Sequence, residues 1–214
     1  MFIDLSHTVE HGMITYKGLP APVISDFMSR EDSRSHYEAG TEFNIAKIDM
    51  VANTGTYLDS PFHRYARGKD LAHLELESIA NVDGIVVRCS EGAIGEHVLE
   101  GIDVQGKAVL FQTGWDAHWR TDTYWNGAHP FLTAGCATQL AKNGATIVGI
   151  DSYNIDSILD GKRPAHSILL GHDIPIVEHL CGLGELPDSG FKFFAVPVKV
   201  REFGTFPVRA FALL

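Results

Sequence analysis

Short apolar runs, separated by glycine, proline and polar clusters, set the pattern of this chain. Gly84 to Cys89, Ala108 to Gln112 and Thr146 to Ile150 have the length and apolar content of core strands. Phe2 to Leu5, Phe43 to Met50, Ile174 to Val177, Phe193 to Val200 and Val208 to Leu213 read as further strands, the last closing the sheet. Thr133 to Asn143 spaces Cys136, Leu140 and Ala141 at helical intervals, and Asn143-Gly144 makes a stop. Shorter helical turns fit Leu74 to Ile79, Ile94 to Leu99, and Ala165 to Leu170, which Gly171 ends. Glu10 to Pro22, with two glycines and two prolines, reads as a loop able to reach over a site. Ser29 to Gly40 is polar and charged, and reads as a solvated, mobile loop. Strands alternating with short helices predict the α/β class, and 1–214 reads as one domain without repeat or linker.

Composition narrows the picture. Hydrophobic residues make up 45% and charged residues 21%, ordinary values for a globular protein. A net charge of −10 argues against nucleic acid and anionic membrane as partners. No apolar run approaches the roughly 20 residues of a membrane span. Met1-Phe2-Ile3-Asp4 lacks the basic start and apolar core of a signal peptide, so the chain reads as cytoplasmic. Cys89, Cys136 and Cys181 are odd in number and form no Cys-x-x-Cys pattern, which suits reduced structural thiols.

The densest chemistry is in Asn53-Thr54-Gly55-Thr56-Tyr57-Leu58-Asp59-Ser60-Pro61-Phe62-His63. Small residues, a glycine, a carboxylate, a proline and a histidine follow an apolar strand, which suggests a site on a strand end or the loop after it. Asp59 and His63, four residues apart, suit one small cavity as metal ligands or as an acid/base pair. A polar turn, with Asp59 bonded to backbone amides and His63 half exposed, explains the same spacing.

This stretch resembles the signature of the cyclase-like metal-dependent hydrolases, the family that includes bacterial kynurenine formamidase and isatin hydrolase. The family pattern is His-x-Gly-Thr-His-x-Asp-x-Pro-x-His, and Gly55, Thr56, Asp59, Pro61 and His63 stand in register with it. Ile3-Asp4-Leu5-Ser6-His7, Gly12-Met13, Thr113-Gly114-Trp115-Asp116, Gly149-Ile150-Asp151 and Ile155-Asp156 resemble further family segments in family order. So does the stretch from Pro164-Ala165-His166 to Pro175-Ile176-Val177-Glu178. The resemblance implies a swivelling β/β/α fold with a mixed sheet and short helices. It also implies a homodimer or homotetramer, a small-molecule substrate, and hydrolysis of a C–N bond in an amide or cyclic amide, as in an arylformamidase.

In that family two motif histidines hold one metal, and the aspartate bridges to a second metal held by a distal His and Glu. Here Asn53 and Tyr57 stand where those two histidines would be. The resemblance therefore assigns Asp59, His166 and Glu178 to a metal, Zn or Mn, and His63 to proton transfer. Those three protein ligands leave a position open for water. Asn53 and Tyr57 are expected to donate to a carbonyl or oxyanion, with one metal per chain rather than two. Tyr16 is a candidate aromatic substrate contact, with Phe27 beside it. Trp115 belongs to an aromatic cluster with His118, Trp119, Tyr124 and Trp125 that reads as either a pocket wall or an oligomer interface. Asp151 and Asp156 read equally well as structural caps, and His7 as a neighbour of the site. His172 and His179 are placed at the surface or behind the ligands. The rival readings are a metal-poor homologue that binds a small molecule, and a lactone or ester hydrolase, cyclase or dehydratase using the same pocket.

Overall fold

In the computed structural model, which describes residues 1–214, thirteen strands and four short helices follow one another. The strands are β1 Phe2–Asp4, β2 Val23–Met28, β3 Ile45–Asp49, β4 Tyr57–Asp59, β5 Val82–Arg88, β6 Ala93–Ile94 and β7 Lys107–Gln112. They continue with β8 Phe131–Leu132, β9 Ile147–Ile150, β10 Ile176–Glu178, β11 Ser189–Phe194, β12 Thr205–Pro207 and β13 Phe211–Leu213. The helices are α1 Arg30–Ser33, α2 Leu76–Ile79, α3 Ala134–Lys142 and α4 Pro164–Gly171.

Nine strands form one mixed sheet in the order β1-β13-β11-β5-β7-β9-β10-β4-β12. Its middle, β5-β7-β9-β10, is parallel, and the strands flanking it on both sides pair antiparallel. Side chains explain why. Along β7, Ala108 and Leu110 enter one core while Val109 and Phe111 enter the other, so this strand is covered on both faces. One core gathers Cys136 and Leu140 of α3 with Leu169 of α4, and the other gathers Leu58, Val177, Phe191 and Phe193. At Gly84 a Cβ would lie 2.0 Å from the Phe191 ring, so glycine lets that ring cross the sheet. This is the mixed α/β architecture that the apolar runs predict.

Two expectations change, while a third gains its setting. Ile45–Asp49 is a strand, as the apolar positions of 43–50 predict, and it pairs only with β2 in a two-stranded ribbon, exposed along its whole length. Local period two reports an extended chain and says nothing of what covers it. The segment read as a mobile loop at 29–40 contains α1, capped by the Ser29 hydroxyl accepting from Asp32 N–H at 3.1 Å, and a 3₁₀ turn at Arg34–His36. Finally, the strand read at Phe193 to Val200 ends at Phe194, and β12 appears where no strand was read. β12 contains Pro207 and sits at the sheet edge, where the missing N–H of a proline is tolerated.

Candidate active site

Period two along β4 and β10 builds the site. Leu58 and Val177 enter one core, so Tyr57, Asp59 and Glu178 point to the opposite face. Tyr57 and Asp59 thus lie on a short buried strand, with Asn53 and Gly55 before it and His63 in the 3₁₀ turn after it, so strand and following turn both carry the motif. Antiparallel register then sets Tyr57 opposite Glu178 and Asp59 opposite Thr205. Each pair is joined: the Tyr57 hydroxyl donates to Glu178 Oε2, and the Thr205 hydroxyl donates to Asp59 Oδ1. Gly55, at φ +64, turns the chain into β4, and the Thr56 hydroxyl donates to the His179 carbonyl beneath it.

Helix α4 supplies His166. The Asp156 carboxylate accepts from the N–H groups of Ala165 at 2.7 Å and His166 at 2.9 Å, capping the helix start. The same carboxylate lies 2.7 Å from His166 Nδ1. A carboxylate accepts here, so His166 carries its proton on Nδ1 and turns Nε2 toward Asp59 Oδ2 at 3.7 Å and Glu178 Oε1 at 3.6 Å. Glu178 Oε1 also accepts from Ile155 N–H at 2.6 Å.

His63 closes the 3₁₀ turn Pro61–His63, and its Nδ1 is 2.7 Å from the Thr205 hydroxyl oxygen. That hydroxyl has one proton and gives it to Asp59, so His63 Nδ1–H must be the donor to Thr205. Nε2 is left as the basic nitrogen. Where β12 begins, Gly204 passes so close that a Cβ there would stand 2.6 Å from His63 N and Cα.

Electrostatics follow from burial. Burial, with Glu178 and then Asp59 adding to it, pushes the Tyr57 phenol well above its ordinary pKa, which keeps it a hydrogen-bond donor. Burial also raises the Glu178 carboxyl. It opposes a charge on His166, but Glu178, Asp156 and Asp59 together outweigh it and hold that ring's pKa above its usual value. Asp59 is wholly buried, and its Oδ2 has no hydrogen-bond partner. A buried carboxylate oxygen without a donor is costly, and a cation at that point would satisfy it. Asp59, His63 and His166 offer atoms within 4.8 Å of one another, and Glu178 adjoins the group through His166. This donor set fits a divalent metal.

A cavity of about 340 Å³ opens above these residues. Tyr57, His63, His166 and Glu178 line it, with Asn53 beside the Tyr57 hydroxyl. Tyr16 and Leu19, from the loop read as reaching over the site, form one wall. Trp115 lies outside it: its indole N–H donates to the Tyr124 carbonyl at 3.2 Å, and its ring packs edge-on against His118. Phe27 is 78% exposed on the ribbon. Trp119, Tyr124 and Trp125 close around the fully buried His179, and His7 stacks on Trp119 at 3.9 Å. That cluster backs Tyr57, whose ring is 5.1 Å from His179, rather than walling the cavity. His172 is exposed. Two contributors escaped the sequence reading: Thr205, which carries no local signal, and Asp156, whose capping role concealed its hold on His166.

Buried acid and imidazole groups held on a nine-stranded mixed sheet mark a class of protein, and residues 3–157 match the model of the Cyclase family, described as "Putative cyclase". The chain belongs to that family. It is 29% identical over 214 residues to a kynurenine formamidase of Bacillus cytotoxicus, covering 98% of this chain and 95% of that one. A kynurenine formamidase of Bacillus cereus is 28% identical over 210 residues with the same coverage. Isatin hydrolase A from Labrenzia aggregata shares the fold, with a TM-score of 0.84 at 19% identity over 99% of this chain and 93% of that one.

Proposed function

We propose that the chain is a metal-dependent hydrolase that cleaves a C–N bond of an amide or cyclic amide, with aromatic N-formyl amines as the first substrates to test. The observation that carries this reading is the orphaned, wholly buried Asp59 Oδ2 facing His166 Nε2 at 3.7 Å under a cavity. Full-length similarity to kynurenine formamidases supports the reaction type.

Asp59, His166 and Glu178 would hold one Zn or Mn. His63 lies in the same group, but its Nδ1, 3.5 Å from Asp59, carries the proton given to Thr205. His63 therefore acts as the acid/base: Nε2 accepts a proton from the attacking water and returns it to the leaving nitrogen. A bound divalent ion supplies Lewis acidity and an acidified water. Tyr57 and Asn53 hold the polar wall where the family's histidine pair would stand, which supports one metal per chain.

The exposed apolar ribbon, with Val23, Phe27, Ile45 and Ile48 uncovered, supports a homodimer or homotetramer. Cys89, Cys136 and Cys181 are free thiols, which suits a cytoplasmic enzyme. No helix is long and apolar enough to cross a membrane. A second reading, a metal-poor protein that binds a small molecule, is favoured by the Tyr57 hydroxyl, which already sits on Glu178 Oε2.

Elemental analysis of untagged protein, run beside formanilide hydrolysis, decides between them. One Zn or Mn per chain, lost with activity in Asp59→Ala, is the expected result. No metal uptake after incubation with Zn and Mn would establish the binding-protein reading. Asn53→His with Tyr57→His is expected to raise the stoichiometry from one to two.

A further inference from the structure

Three cations line the cavity: Arg64, Lys162 and Arg163. Glu178 is the one carboxylate among the lining residues, and it is engaged by Tyr57 and Ile155. None of the three cations forms an ion pair, whereas seven lysines and arginines elsewhere are paired with Asp or Glu. In a chain of net charge −10, unneutralised positive charge gathered at one cavity runs against the overall charge and makes that cavity attractive to an anion.

Arg163 shows how it is built. Its backbone is left-handed, at φ 49 and ψ 60, a strained conformation for a side chain of this size. Nη1 donates to Asn154 Oδ1 at 3.1 Å and to the Ser157 carbonyl at 3.2 Å, neutral acceptors that orient the guanidinium and leave its charge uncompensated. The Tyr16 hydroxyl lies against the same guanidinium and is 3.4 Å from Asn154 Nδ2. Arg64 is similarly steadied by Ser167, with Nε 3.2 Å from its hydroxyl.

We infer that Arg163, assisted by Lys162, Arg64 and the Tyr16 hydroxyl, receives a carboxylate carried by the substrate at the end remote from the scissile amide. This rests on the proposed hydrolase reading and narrows it: the substrate is an N-acyl or cyclic aromatic amide with an acidic group. The planar guanidinium suits a carboxylate, which it can bind through two parallel N–H groups. A neutral amide of the same shape has no charge to offer.

Isothermal titration with benzoate and with benzamide tests the inference without turnover. Wild type is expected to bind benzoate about tenfold or more tightly over benzamide, as charge-assisted hydrogen bonds imply. The preference should fall to within about threefold in Arg163→Gln, shrink less in Lys162→Gln, and survive partly in Arg163→Lys. Benzamide affinity should not move. Circular dichroism establishes folding, and Lys162→Gln serves if Arg163→Gln does not fold. Equal affinities in wild type, no binding of either compound, or a preference that persists in the variants would overturn the inference. 4-Formamidobenzoate carries both the formamide and a remote carboxylate. If it stays intact while benzoate preference tracks Arg163, the hydrolase reading sinks and the carboxylate site is left standing.

Discussion

Replacing Thr205 by valine tests the proton arrangement around His63 most directly. Thr205 is 4% exposed, and valine has nearly its shape, so the change removes a hydroxyl and opens little space. That hydroxyl is a donor to Asp59 Oδ1 and the acceptor for His63 Nδ1–H at 2.7 Å. Asp59 Oδ2 already lacks a hydrogen-bond partner, so in the variant neither oxygen of this buried carboxylate accepts a side-chain hydrogen bond. Hydrogen bonds to charged groups are worth about 1.5–3 kcal/mol. A loss of about 2 kcal/mol in stability should lower the urea midpoint by roughly 1 M.

The same range predicts a fall in kcat of about 10- to 100-fold, because His63 loses the contact that fixes its protonated nitrogen. KM should change little, since Thr205 is not among the cavity-lining residues. Thr205→Ser keeps the hydroxyl and should restore kcat to within about threefold of wild type. Steady-state hydrolysis of formanilide, with metal content measured on the same samples, separates positioning from general damage. A valine variant that is less stable yet keeps wild-type kcat would refute the reasoning. So would a serine variant as slow as valine.

Asp156→Ala should do harm in two ways. It uncaps α4 by freeing the N–H groups of Ala165 and His166, and it releases His166 Nδ1. Stability should fall by about 2–4 kcal/mol in urea titrations, and metal affinity by about 10- to 100-fold in competition with a chelating dye. Asp151 gives a pH signature. Burial pushes its carboxyl up to about 6, against hydrogen bonds from Thr113 and Gly114 that lower it. An acid with a raised folded pKa stabilises below its unfolded pKa, and that contribution is lost as pH rises through the folded value. The stability of wild type relative to Asp151→Asn should therefore fall between pH 4 and pH 6, by up to about 3 kcal/mol. Urea midpoints of both proteins at the two ends check it, and a pH-independent difference would contradict it.

How much of this was legible beforehand depends on the distance over which each contact is made. Asp59 and His63 lie four residues apart, and one strand and one 3₁₀ turn carry both, so their association could be read from spacing. The apolar runs at 108–112 and 146–150 announced buried strands because hydrophobic content needs no knowledge of neighbours. The ribbon strand Ile45–Asp49 is legible as a strand from its own apolar positions, but its exposure is not, since a local pattern cannot name its cover. Glu178 and Tyr57 are 121 residues apart, and Thr205 and Asp59 are 146 apart. Their pairing exists only in the register of β10 and β12 on either side of β4.

That register also explains how a tyrosine at position 57 fits beside the buried acid of this site. Antiparallel pairing places position 57 across from Glu178 whatever its side chain, so a phenol there inherits a buried carboxylate as its partner. The hydroxyl then satisfies one Glu178 oxygen, Ile155 N–H satisfies the other, and His166 is held from behind by Asp156. Of the site's carboxylate oxygens, Asp59 Oδ2 is the one left without a partner. The electrostatic demand of the site is thereby concentrated where Asp59 faces His166. Because the backbone register fixes neighbours before side chains are chosen, the chemistry at position 57 can differ while Asp59 and Glu178 keep their places on the same face.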